Sequence, residues 1–98
     1  MEKEILLFNR AIYKKENYEQ ALEMTKELVE KAKEEKGAII YDMYEDINIE
    51  NSICILEKWE TMEDLENHWK SEHFNKIVPA LGDLTIDQSE VYKFSKLD

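Results

Sequence analysis

The chain predicts an α+β fold of ferredoxin-like β-α-β-β-α-β order, with a four-stranded antiparallel sheet carrying its helices on one face. Three observations point to it. The chain opens on a β-branched and aromatic run, continues into a long amphipathic stretch that ends near a glycine, and then shows two short apolar runs joined by a hairpin-sized polar link. Ninety-eight residues leave room for a single domain, expected to span 1–98, and an apolar fraction of 43% is ordinary for a chain with a core.

Residues Ile5 to Lys14 form the expected first strand. Ile5, Leu7, Asn9, Ala11 and Tyr13 alternate with Leu6, Phe8, Arg10 and Ile12. Both sets are largely apolar, so both faces of the strand need cover. Asn17 followed by Gln20 is expected to open the first helix as a capping box, the Asn side chain accepting from a free backbone N–H. Tyr18, Ala21, Leu22, Leu28, Val29 and Ala32 then recur at helical steps, and Gly37 is the expected left-handed stop.

Ala38 to Glu45 and Ile53 to Glu60 read as the second and third strands, antiparallel because the link Asp46 to Ser52 is short. Ile53, Ile55, Glu57 and Trp59 share one face of the third strand. Thr61 with Asp64 caps a short helix through Leu65, His68 and Trp69, and Ser71 caps a further turn or two carrying Phe74, Ile77 and Val78. Pro79, which lacks an N–H, and Gly82 are expected to end it. Val91, Tyr92 and Phe94 mark a closing strand within Thr85 to Lys96.

With all helices on one face, Leu6, Phe8 and Ile12 would point into water unless a second copy covers them. A homodimer packed sheet against sheet is therefore expected. A chain this short buries only about two thirds of its unfolded surface, which adds to the advantage of pairing.

The charge balance excludes several function classes. Thirteen Lys and Arg stand against 23 Asp and Glu, a formal net charge of −10. Such a surface repels phosphate backbones and anionic lipid, so neither nucleic acid nor membrane is expected as a partner. Cys54 is the single cysteine, and no Cys/His spacing offers zinc a tetrahedral set, so no metal is expected. Met1 to Phe8 is too short in apolar residues for a signal-peptide core, and a cytoplasmic location is expected. Cys54, between Ile53 and Ile55, reads as a small core residue.

One run carries a resemblance. Glu57-Lys58-Trp59 at a strand end, the acidic capped helix from Thr61, His68, and then Ser71-Glu72-His73-Phe74 opening the next helix together resemble the signature of antibiotic biosynthesis monooxygenase domains. Gly37 with Tyr41, and Asn9 in the first strand, are similar to further positions of that family, and the element order matches over nearly the whole chain. The resemblance implies a dimeric α+β barrel and oxidation of quinols or related aromatics by dioxygen, with no metal or flavin cofactor. The family also holds isomerases, haem-degrading enzymes and domains of unknown activity, so the fold does not settle the reaction. In the haem-degrading branch the iron-ligating His would fall near Val78, which cannot bind iron.

A cofactor-free oxygenase needs an electron-rich substrate anion, a base to form it, dipoles to hold it and an apolar pocket that excludes water. His68 is the candidate base because its ordinary pKa lies near neutrality. Asn9 on an apolar strand face is the second catalytic candidate, placed to hold a substrate oxygen. Tyr41, Trp69 and Phe74 are the expected substrate-binding wall, the partners being a small aromatic molecule and O2. The competing readings are an isomerase using the same base, or a non-catalytic domain that sequesters a small apolar ligand or serves a stress response. A His68 that merely packs at the helix-sheet junction belongs to the last. His73 is expected to be structural, and Trp59 to pack at the interface between copies. Arg10 and Glu57, on strands that become neighbours, are expected to form an ion pair inside the barrel.

Overall fold

Period-two alternation in the first strand decides which side of the sheet becomes the core. The computed structural model describes residues 3–87 and 90–97. In order, the elements are β1 (Ile5–Ile12), α1 (Lys15–Ala32), β2 (Ala38–Tyr44), β3 (Ser52–Trp59), α2 (Met62–Trp69), α3 (Glu72–Gly82) and β4 (Glu90–Ser95). The strands form one four-stranded antiparallel sheet in the order β2-β3-β1-β4. This is the ferredoxin-like arrangement, with the second helix divided into α2 and α3. No helix among the described residues is long and apolar enough to cross a membrane.

Ile5, Leu7, Ala11 and Tyr13 of the odd-numbered set are buried beneath the helices, together with Ile53, Ile55 and Trp59 of β3. From α1 the same core takes Ala21, Leu28, Val29 and Ala32, and from the second half Leu65, Ile77 and Leu81. The even-numbered side is open. Leu6, Tyr44, Tyr92 and Phe94 keep between 37% and 53% of their surface exposed there. Cys54 is buried, and Phe8 stacks on Tyr92 with ring centroids 6.5 Å apart.

A bulge in β2 has a consequence for the site. Ala38 pairs with Trp59 and Ile40 with Lys58, so Ile39 is an extra residue. Without it, Tyr41 would face away from Ala38. With it, Tyr41 lies opposite Glu57 on the helix side, where it is 2% exposed.

Several local expectations are corrected. The helix α1 begins at Lys15, with Lys14 as a cap lacking a side-chain bond, and Asn17 lies inside the first turn, its N–H donating to the Lys14 carbonyl. Only Tyr13 and Lys14 separate β1 from α1, and a bridge to Thr85 pins Tyr13 in place, so no turn is left for an Asn17 cap. The helix ends at Ala32, short of Gly37. That glycine has φ of 84° and lies in the turn into β2, against the Asp64 side chain, where a Cβ would collide with the carboxylate. The Thr61 and Ser71 caps are found as expected, accepting from the backbone N–H groups of Asp64 and Phe74. Pro79 does not end α3, which continues to Gly82. Burial of Ile77 and Leu81 on either side of the proline holds the last turn, and the Asp83 N–H closes onto the Pro79 carbonyl at 3.2 Å.

Candidate active site

Between the helices and the middle of the sheet lies a cavity of about 240 Å³. Leu7, Ala11, Ile53 and Ile55 form its floor, Leu28, Val78 and Leu81 line it from the helices, and the exposed Gly82 and Val91 mark its rim. The wall is mostly apolar, with a few polar groups set into it: Asn9, Thr25, Tyr41 and Glu57 among them. The Thr25 hydroxyl is tied back to the Ala21 carbonyl at 2.8 Å, so it offers little to a ligand.

Glu57 is the most unusual of these groups. It sits on the central β3, where alternation carries it to the same face as Ile53, Ile55 and Trp59, and its residue is 3% exposed. One carboxylate oxygen accepts from Trp59 Nε1 at 3.0 Å and the other from Asn9 Nδ2 at 3.3 Å. Burial raises the carboxyl from its usual 4.5 to about 7, and the Glu35 charge pushes the same way, while the bonds from Trp59 and Asn9 pull it back. At neutral pH the group is thus poised between acid and base, as general catalysis requires.

Asn9, Tyr41, Trp69 and Phe74 all line the cavity. His68 does not. Its side chain is completely buried behind Tyr41, packed against Trp59 with centroids 4.9 Å apart and against Phe74 at 5.0 Å. Nε2 lies 3.3 Å from the Tyr41 hydroxyl and Nδ1 lies 2.6 Å from Glu35 Oε2. Burial lowers the His68 pKa, and the Glu35 carboxylate opposes that shift. Burial, reinforced by the charges of Glu57 and Glu35, raises that of the Tyr41 phenol. His68 is therefore linked to the cavity by way of Tyr41, which lines it. His73 Nε2 meets the same Glu35 oxygen at 2.9 Å, which places it at the α2–α3 junction in line with a structural part.

Two pairings differ from expectation. Arg10 binds Asp46 at 3.1 Å and Glu90 at 2.8 Å, not Glu57. Arg10 lies opposite Cys54, and Glu57 lies opposite Leu7, so the two charges are on adjacent strands but on opposite faces. Trp59 belongs to the helix-side core, fully buried, rather than to a surface between copies. Glu57 is accordingly the residue that sequence reasoning set in the wrong partnership. The signal was present in its alternation with Ile53, Ile55 and Trp59, an indole two residues away being a ready donor. Glu35 carried no such signal, since it lies in the turn after α1 and meets both histidines only in three dimensions.

The antibiotic biosynthesis monooxygenase family model matches residues 5–80. The chain belongs to that family. YcnE of Bacillus subtilis (strain 168), provisionally named a monooxygenase, is 32% identical over 65 residues, 66% of this chain and 68% of YcnE. The uncharacterized Synechocystis protein sll1783 is 27% identical over 85 residues, which cover 85% of this chain and 58% of that protein's length. A conserved protein from Methanosarcina mazei Go1 superposes with a TM-score of 0.92 at 26% identity, covering 96% of this chain and 93% of its own.

Proposed function

We propose that the cavity is the active site of a small monooxygenase that oxidises a quinol or related aromatic with dioxygen and needs no metal or flavin for that step. The observation that carries the reading is Glu57, a lone carboxylate with a pKa of about 7 in a mostly apolar cavity. An apolar cavity of about 150 Å³ binds benzene, so 240 Å³ accommodates one substituted ring. Trp69 and Phe74 supply aromatic wall.

In this reading Glu57 takes the phenolic proton, and the resulting anion donates the first electron to dioxygen. One oxygen atom enters the ring and the other leaves as water. The balance closes on a hydroxyquinone, with the quinol supplying all the electrons. Asn9, held by Glu57, is placed to bind the substrate oxygen through its amide. His68 acts one step back, fixing through its hydroxyl the Tyr41 side chain that lines the cavity. The open sheet face, with Leu6, Tyr92 and Phe94 exposed, supports pairing with a second copy sheet to sheet.

An oxygen electrode with a panel of substituted quinols tests the proposal. Substrate-dependent oxygen uptake with one O2 consumed per quinone formed is the expected result. Turnover of an aromatic with no oxygen uptake would transfer the site to an isomerase. Tight binding of quinols with no turnover would reduce it to a ligand-sequestering domain.

A further inference from the structure

Outside the cavity, the turn after α1 and the junction of α2 with α3 bring two imidazoles and a carboxylate together. A carboxylate oxygen of Glu35, one ring nitrogen of His68 and one of His73 all lie within 4.8 Å of one another. Glu35 Oε2 is 2.6 Å from His68 Nδ1 and 2.9 Å from His73 Nε2. We propose that this cluster is a binding site for a divalent transition ion of the zinc or iron(II) class, held by Glu35, His68 and His73 with its remaining positions open to water. The proposal stands independently of which substrate the cavity takes.

The donor chemistry selects the ion. Two imidazoles and one carboxylate with open positions suit zinc or iron(II), whereas calcium and magnesium favour all-oxygen sets. Ligand atoms at about 2.0 to 2.2 Å from an ion lie roughly 3 to 3.5 Å from each other, so the two short Glu35 contacts need open by only about half an ångström. The site is also supported from behind. Tyr41 bonds the far nitrogen of His68, and Trp59 and Phe74 pack on its ring, which holds Nδ1 toward Glu35. The side chains of Glu35 and His73 each keep 18% of their surface exposed, so an ion can enter from solvent without passing through the cavity. None of the three ligands lines that cavity.

Proton positions connect this site to Tyr41. If, with no ion bound, both imidazoles donate to the Glu35 carboxylate, His68 carries its proton on Nδ1 and its Nε2 accepts from the Tyr41 hydroxyl. An ion on Nδ1 displaces that proton to Nε2, which then donates to the Tyr41 oxygen. The Tyr41 O–H is then released from His68 and free to donate elsewhere, and Tyr41 lines the cavity. For a neutral ring this is a change of tautomer with no net proton released. Metal occupancy would thus change what the cavity offers a substrate oxygen, without an ion in the cavity itself.

The test uses the chelator-treated full chain, free of any histidine tag, titrated with Co(II) and with Zn(II). Expected are one ion per chain, cobalt d–d absorption of a nitrogen-containing site, and in histidine-selective 15N spectra with Zn(II) a shift of the His68 proton from Nδ1 to Nε2. His73→Ala, a change at a partly exposed position, and Glu35→Gln should each weaken binding by at least about 100-fold, since loss of a supporting residue alone costs about 10- to 100-fold. Tyr41→Phe should weaken it about 10-fold. The acidic surface will hold cations weakly and without these signatures. Binding that is unchanged in His73→Ala, or a His68 tautomer that ignores zinc, would show that the cluster is a structural clamp and overturn the proposal.

Discussion

Both faces of the sheet are apolar, yet the chain closes only one of them, and polar groups fare differently on the two sides. Beneath the helices Glu57 is sealed from water and held by neutral donors, Asn9 and Trp59. On the open side Arg10 stands among exposed aromatic groups and binds two carboxylates that water still reaches. Among the described residues no buried side-chain nitrogen or oxygen lacks a hydrogen-bond partner. What distinguishes the faces is therefore the dielectric around the polar group and the charge of its partners. Cover without a counter-charge produces a titratable group near neutrality, whereas opposite charges at a wet edge produce a fastening.

The largest expected effect breaks the chemistry of the closed side. Glu57→Gln preserves size and can still accept from Trp59, but it cannot take a proton. Oxygen uptake per unit enzyme should fall by about 10²- to 10⁴-fold with little change in KM, as for loss of a general base. In the parent protein the same uptake should rise with pH through about 7 as Glu57 ionises. A pH-independent rate in the parent, or an unimpaired Glu57→Gln, would remove Glu57 from the reaction.

The open side is broken by charge instead. Phe94 is 51% exposed, so Phe94→Glu leaves the protomer core untouched. If a second copy covers this face, that substitution buries an unpaired carboxylate and should raise the dimer dissociation constant by about 100-fold or more. Sedimentation velocity of the parent and the variant decides it. A parent that is monomeric at high concentration would show that the face is left bare in solution. Oxygen uptake measured on both distinguishes a dimer needed for folding from one needed for the site.

How much of this was legible in the sequence follows the same division. The odd-numbered face of β1, the apolar stripe of α1 and the caps at Thr61 and Ser71 were readable because each is set by spacing within one element. Asn17 misled because a capping signature says nothing of where the preceding strand lets go, and Tyr13 is pinned to Thr85, far along the chain. The cavity residues Asn9, Tyr41, Trp69 and Phe74 were named from the family resemblance, but the bulge that turns Tyr41 inward was not readable from alternation. Glu57 and Arg10 were paired because strand adjacency was inferred without register. One residue of register decides which face a side chain joins.

Stability against pH sharpens the contrast with a smaller effect. Glu57 has a folded pKa near 7 against an ordinary 4.5, so folding favours its protonated form. The stability this contributes is complete below about 4.5 and lost as pH rises through 7, an amount on the order of 3 kcal/mol for the whole shift. His68 has the opposite sign: its pKa is lowered, so its contribution is complete above 6.5 and lost as pH falls through its folded value. Urea denaturation across this range should show parent stability declining from pH 5 to 8. Glu57→Gln should abolish that decline and leave the loss at low pH.

The smallest effect belongs to Arg10. Its two ion pairs lie at side chains that keep 24% to 50% of their surface, so in a monomer Arg10→Met should cost no more than about 1 kcal/mol and depend on salt. In a sheet-to-sheet dimer the same guanidinium lies near the covered surface, and its removal leaves Asp46 and Glu90 facing one another without a cation. The loss should then exceed the monomer value and grow with protein concentration, because it acts on association as well as folding. Measuring Arg10→Met in the parent and in the Phe94→Glu background separates the two: equal losses mean a wet rim, and a smaller loss in Phe94→Glu means that the partner's cover gives the ion pairs their strength.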